Sequence, residues 1–497
     1  MKHKAHSART LPSQSSFEQF DREGSFFGYR SNNRCDESSA ERRAVWMRRG
    51  IVVSVWIALM GLCAHAQPPQ PPSGRALLIS DIHLDPLADT SIVKQLITAP
   101  VVHWRAIFQS SQRHALSTYG SDPNYPLFSS ALNAAAAQGP FDYVVFTGDA
   151  LRHDFLSAFV AAGGISNQFP AFAAKTAVFI MRELRRKFGV PVLTAIGNND
   201  SNCGDYQIPP NSPFLAALAD ELTVLETSPE ARATFRLGGF FSVPHPTVAN
   251  QDIIVLNSVF WSTSYSSCAP NAGDPGAAEL DWLSWKLYTA RVLHRGVTLV
   301  MHIPPGIDPF GSSRGGNCMN AVPLWADTYA TQFSVLMQAY SDVVQLGFAG
   351  HTHMDDFRVA ASGAPSLPLR ITPAVSPLFD NNPGFSVLSY DVKTGSTSDI
   401  TTFFISLASQ TPRWTKEYRF SSAYGVRAFD ATDLFTVATE IRNGDAARQT
   451  FESDYAVSAS SPINSSNWPF YSCAQTEVTG ATYTNCVCGV MSVHSKQ

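Results

Sequence analysis

RALLISDIH, residues 75–83, runs from a short apolar stretch into Asp81 and His83. Ala76 to Ile79 is too short for a helix and reads as a buried strand. On an extended backbone, residues two apart share one face, so Asp81 and His83 point the same way. Taken alone, such a pair is a common turn or cap. The same arrangement recurs down the chain, however. FDYVVFTGD (141–149) delivers Asp149, and VPVLTAIGNN (190–199) delivers Asn198 and Asn199. GVTLVMH (296–302) delivers His302, and VVQLGFAGHTH (343–353) delivers His351 and His353. DIIVLNS (252–258) ends in Asn257.

Helix-like segments lie between these strands. Residues 175–189, 277–292 and 322–340 carry helical apolar spacing, the first closing on Gly189. Strands alternating with helices predict an α/β architecture. Ligands in such sheets bind beyond the carboxyl ends of the strands, which is where Asp, Asn and His accumulate here. Each has an ordinary explanation by itself: a turn, an N-cap, a satisfied core histidine. Five apolar strands delivering such side chains in succession do not.

The flanks read differently. Residues 1–46 are polar and without periodicity, and are expected to be a non-native or disordered extension. From Met47, Arg48 and Arg49 precede an apolar run, Ile51–Leu62, and Ala64-His65-Ala66 resembles a cleavage site. We read 47–66 as a signal peptide, since the run is short of the roughly 20 residues of a membrane span; anchoring through 51–62 is the alternative. Residues 67–76 read as a Pro-rich linker and 77–399 as the main domain. Beyond about residue 400 the strand–helix pattern weakens. Residues 429–444 look helical and the end is rich in cysteine, so 400–497 reads as a C-terminal helical, cysteine-stapled subdomain.

Composition narrows the partners. Ten basic and six acidic residues precede Gln67, leaving 26 basic and 34 acidic after it, a net −8. That balance argues against a nucleic-acid partner beyond nucleotides, because a phosphate-backbone binder shows a basic face. Cys203, Cys268, Cys318, Cys473, Cys486 and Cys488 follow residue 66. An even number in an exported chain favours disulfides, with pairings the sequence leaves open.

The motifs SDIH, TGDALRHD, GNND, VMHIPPG and GHTH, in this order over residues 80–353, resemble the calcineurin-like metallophosphoesterase superfamily. IVLNSVFW, GHTHMDDF and PAVSPLFDNNPGFSVLSYD (373–391) are similar to its acid sphingomyelinase-like phosphodiesterase branch. The resemblance implies a β-sandwich flanked by helices in four αββα layers. It also implies two divalent metal ions, zinc in this branch, with manganese or iron compatible with the donors. Asp81, His83, Asp149 and His353 would hold one ion, and Asp149, Asn198, His302 and His351 the other, with Asp149 bridging. The implied reaction is attack on phosphorus by a hydroxide bridging two cations about 3.5–4 Å apart.

Many relatives carry His after the Asn of GN. Here Asn199 stands there, able to donate an N–H to a phosphate oxygen but not a proton. The acid role therefore passes to His153, four residues after Asp149, with Asp154 or Asp200 available to orient a histidine. Little sequence separates the leader from SDIH, leaving no room between them for a lipid-presenting domain. That favours a small soluble phosphoester such as a nucleotide. Sphingomyelin hydrolysis with lipid contact, polyphosphate cleavage at a cleft including Arg152, and a non-catalytic secreted binding protein are the alternatives. Oligomeric state is left open, and Cys203 is expected to pin the GNND loop through a disulfide.

Overall fold

A computed structural model describes residues 73–270, 273–359 and 365–494. The leader, the N-terminal extension and the start of the linker lie outside them. The strands are β1 (Ser73–Ile79), β2 (Tyr143–Phe146), β3 (Val192–Thr194), β4 (Phe241–Pro244), β5 (Gln251–Val255), β6 (Gly296–Val300), β7 (Val344–Ala349), β8 (Asp356–Val359), β9 (Pro368–Ile371), β10 (Gly384–Asp391), β11 (Thr397–Ile405) and β12 (Trp414–Arg419). They form two six-stranded sheets, ordered β12-β11-β10-β1-β2-β3 and β4-β5-β6-β7-β9-β8.

Within the first sheet β1, β2 and β3 are parallel, and within the second β5, β6, β7 and β9 are. Strands such as β2 (YVVF) are buried along their whole length, as parallel strands covered on both faces must be. The sheets face one another. Arg370 of β9 donates to Ser386 of β10 (3.3 Å) and Thr402 of β11 (3.0 Å), and His245 lies 3.2 Å from the Tyr143 hydroxyl. Helices flank the pair. The longest, Phe169–Phe188, buries Phe172, Phe179 and Leu184, begins with Pro170 in its first turn and ends on Gly189 at φ 68°. Each such buried side chain contributes about 1.5–3 kcal/mol. The helices expected at 277–292 and 322–340 are Pro275–Val292 and Asp327–Ala339.

Two expected boundaries move. β1 starts at Ser73, so the last four residues given to the linker are strand. The proposed boundary at residue 400 falls inside β11, which pairs antiparallel with β10 and β12 and completes the first sheet. WTKEYR of β12 is a mostly exposed edge, so it carries little apolar signal of its own. The helical part begins directly after it, with Phe420–Tyr424, Ala431–Asn443, Asp445–Tyr455, Trp468–Ala474 and Gly480–His494. Among the described residues three disulfides form: Cys203–Cys268, Cys318–Cys488 and Cys473–Cys486. The second ties the last helix to the segment that follows β6. Among the described residues no helix is long and apolar enough to cross a membrane.

Asn257, at the end of β5, has a structural role. Its N–H donates to Glu279 (2.7 Å) and its side chain to the Gly238 carbonyl (2.8 Å). Burial pushes the Glu279 carboxyl up from 4.5 to about 8, with only that one backbone N–H opposing. The folded state therefore holds a proton there that the unfolded chain releases above pH 4.5. Stability falls as pH rises from 4.5 to 8, by about 3 kcal/mol at neutrality. Glu279→Gln is expected to abolish that slope, giving a higher Tm than wild type at pH 8 and a similar one at pH 4.5. Parallel melting curves at both pH values check it.

Candidate metal and phosphoester site

The parallel strands of both sheets end on one side, and the turns that follow them converge. Backbone bonds knit these turns together. Asp81 N–H donates to the Gly148 carbonyl (3.0 Å), His83 N–H to that of Asp149 (2.9 Å), and Gly350 N–H to that of His302 (2.9 Å). Asp81, His83, Asp149, His351 and His353 all adopt positive φ, between 41° and 73°. Left-handed backbone is uncommon for non-glycine residues and costs of order 1–3 kcal/mol each. Here it turns each side chain inward. The glycines of GNND and GHTH have a different task. A Cβ on Gly197 would strike Asp149, and one on Gly350 would strike Ser80 and Asp81.

All seven residues expected as ligands meet in one buried cluster. His83 Nε2 is 3.4 Å and His302 Nε2 3.2 Å from the same Asp149 oxygen. His353 Nε2 is 3.1 Å from His83 Nε2 and 3.6 Å from Asp81. The Asn198 side-chain oxygen lies 2.9 Å from both His302 Nε2 and His351 Nδ1. Asp149–His302–His351 and Asp81–His83–Asp149 each form a compact group that could hold a cation.

The surroundings choose which atom of each side chain faces inward. His83 Nδ1 is 2.8 Å from the Leu151 carbonyl and His302 Nδ1 is 2.9 Å from that of Thr147. Those carbonyls accept the Nδ1 protons and turn each Nε2 inward. Burial there disfavours the charged rings, but Asp149 and Asp81 outweigh it and raise His83 to about 10 and His302 to about 9, so each Nε2 holds a proton that a bound cation would replace. Asp205 accepts from the Asn198 amide nitrogen (2.7 Å), turning its oxygen to the centre. Burial, aided by the nearby histidines, lowers His351 to about 4 and His353 to about 3, so both are neutral. Burial disfavours the Asp149 carboxylate, but His302, His83 and the Asn199 N–H outweigh it and hold it well below the usual carboxylate range. Two carboxylates, an amide oxygen and four imidazoles suit divalent cations of borderline softness. The 3.1 Å approach of the His83 and His353 Nε2 atoms beside Asp81, with His353 Nδ1 buried and unpartnered, fits a cation at that point.

The residues expected around the reaction are placed less as foreseen. Asn199 directs both its backbone N–H (2.8 Å) and its amide (3.0 Å) at Asp149, not at open space for a phosphate oxygen. Asp200 orients no histidine. Its carboxylate receives the backbone N–H groups of Asp149, Ala150, Leu151 and Gly197, clamping two ligand loops. Asp154 starts the helix Phe155–Ala161 without a side-chain capping bond. The partner of His153 is Asp122, which accepts from the His153 backbone N–H (2.9 Å) and sits 3.0 Å from Nδ1. Asp122 lies in a loop without motif, and nothing in the sequence pairs it with His153. Ser376 steadies it from the other side (2.9 Å). The His153 ring stacks on His83 at 3.9 Å, a quarter exposed. Arg152 turns away to Asp85 (3.4 Å), so it adds no free cation to a cleft. Cys203 does pin the GNND loop, through Cys268.

The sequence profile of the family described as calcineurin-like phosphoesterase matches residues 74–355. The chain is 28% identical over 391 residues to acid sphingomyelinase-like phosphodiesterase 3b of Mus musculus, covering 74% of this chain and 79% of that protein. It is 24% identical over 416 residues to the cyclic GMP-AMP phosphodiesterase SMPDL3A of Homo sapiens, covering 78% and 85%. Among solved structures, a dimetal phosphatase from Danio rerio aligns with a TM-score of 0.39 and 12% identity, over 67% of this chain and 95% of that one.

Proposed function

The chain belongs to the calcineurin-like phosphoesterase family, and from that premise we propose that it is an exported zinc phosphodiesterase acting on small soluble phosphodiesters of the nucleotide class. That it is a metal-dependent phosphoric ester hydrolase follows from the family itself. The observation that carries the finer reading is the convergence of seven donor residues, Asp149 among them, with one further imidazole, His153, beside them.

In this reading Asp81, His83, Asp149 and His353 hold one cation, and Asp149, Asn198, His302 and His351 the other. Such a pair supplies a nucleophile at neutral pH and neutralises the phosphoryl oxygens. Asp149, held ionised, would be shared by the two. Asn198 contributes a neutral oxygen, which limits the negative charge facing a phosphate anion. His153 gives a proton from Nε2 to the departing alkoxide, while Asp122 keeps Nδ1 protonated and the ring fixed. Water adds at phosphorus, the P–O bond to the leaving alcohol breaks, and a monoester and an alcohol remain. Asn199 holds Asp149 in place and moves no proton.

The nucleotide class draws support from the cyclic GMP-AMP phosphodiesterase among the relatives. Export through residues 47–66 accords with three disulfides. Purified protein, stripped by chelator and reloaded with zinc, should cleave a cyclic dinucleotide and bis-4-nitrophenyl phosphate only when reloaded. Sphingomyelin and polyphosphate are the competing substrates. Chelator-insensitive activity, or cleavage confined to polyphosphate, defeats the reading. Metal analysis identifies the ion, and N-terminal sequencing of exported protein should begin at Gln67.

A further inference from the structure

Phe379 is the exception to a polar site. It is 52% exposed, at the tip of the turn closed by the Asp380 N–H to the Pro377 carbonyl. The turn is held firmly on both sides. Gly120 N–H donates to Pro377, Ser376 N–H to the Asp81 carbonyl, and Asn381 reaches back to the Ser376 carbonyl at 3.0 Å. A half-exposed phenyl on a fixed turn loses little entropy when it is covered. Its covered side meets two imidazoles nearly at right angles: His153 at 5.8 Å and 85°, and His353 at 4.7 Å and 75°. The rest of the ring is open. Phe379 therefore borders both His353 of the seven converging donors and His153, which stacks on them from outside the set.

We propose that Phe379 forms the leaving-group subsite of this enzyme, stacking on a planar ring carried by the departing alcohol. The inference rests on His153 as the proton donor, since the donor must lie beside the oxygen it protonates. The group attached to that oxygen then lies against Phe379, the exposed ring that meets His153. A flat ring fits better than an alkyl chain, because a fixed single phenyl offers a plane and no groove. The residue thus selects among phosphodiesters of the form RO–PO₂⁻–OR′ by the R′ that leaves as R′OH.

The test compares methyl benzyl phosphate with methyl butyl phosphate, whose leaving alcohols differ in having a ring, on the zinc-loaded full chain. Phe379→Leu retains bulk and apolarity but no plane, and Phe379→Trp retains the plane. Wild type should prefer the benzyl ester. Phe379→Leu should lose about 10-fold of that preference in kcat/KM, roughly the worth of one ring stack, and Phe379→Trp should keep it. An unchanged preference in Phe379→Leu overturns the stacking role, as does an equal loss on both esters. Bis-4-nitrophenyl phosphate separates the two failures. If wild type cleaves it with zinc, the phosphodiesterase reading stands whatever Phe379 does; if it does not, the enzyme reading has failed first.

Discussion

His153→Gln is expected to slow hydrolysis of an alkyl phosphodiester by about 10²- to 10⁴-fold, the usual range for losing a general acid. The same variant should cleave bis-4-nitrophenyl phosphate at a rate close to wild type. Nitrophenolate departs without a proton, whereas an alkoxide does not. The contrast follows from geometry. His153 has its Nδ1 committed to Asp122 and its ring stacked on His83, so Nε2 is the atom left to act. Asp122→Asn should show the same leaving-group contrast, more weakly, because the ring stays but its tautomer is no longer imposed. His153 also forms a compact group with His83 and His353, which makes a rival role testable. Equal losses on both substrates, together with loss of bound metal, would make His153 a ligand and end its assignment as the acid.

The largest effect is expected at Asp149. Asp149→Ala should bind less than one equivalent of divalent metal and lose about 10³-fold or more in turnover on every substrate, nitrophenyl esters included. The residue does three things at once, the first two through its carboxylate. It faces His83 and His302 from one oxygen, it accepts two bonds from Asn199, and its backbone N–H is one of the four held by Asp200. Loss of metal and loss of rate should therefore move together, unlike the pattern at His153. Elemental analysis of purified variant beside wild type reads the first, and steady-state kinetics the second. A variant with full metal content and ordinary turnover would remove Asp149 from the centre of the site.

The buried cluster of seven was legible because every member follows an apolar strand, and the strand ends of a parallel sheet open on one side. The supporting residues were not. Asp122 and Asp205 come from loops, the first reaching His153 from 31 residues away and the second reaching back seven residues to Asn198, and neither carries a periodic signal. Asp200 was visible as a carboxylate in GNND, but its four backbone partners could not be inferred from its neighbours. Asn199 was read from its chemistry alone, and only the folded loop directs it at Asp149. The shift of the domain boundary has the same origin. β12 owes its conformation to β11, and a polar edge strand declares its partner only in three dimensions.

The positive φ values along the ligand turns set up a conflict between activity and persistence of the fold. An alanine at residue 149 would inherit a left-handed backbone without the carboxylate; a glycine would inherit neither the strain nor the chemistry. Asp149→Gly should accordingly outlast Asp149→Ala by about 1 kcal/mol in unfolding free energy, the reverse of their order in a helix or strand. Random drift that no longer had to preserve catalysis would thus be rewarded with glycine at these positions. A descendant chain that had given up hydrolysis would be recognisable by glycines where this one keeps aspartate and histidine.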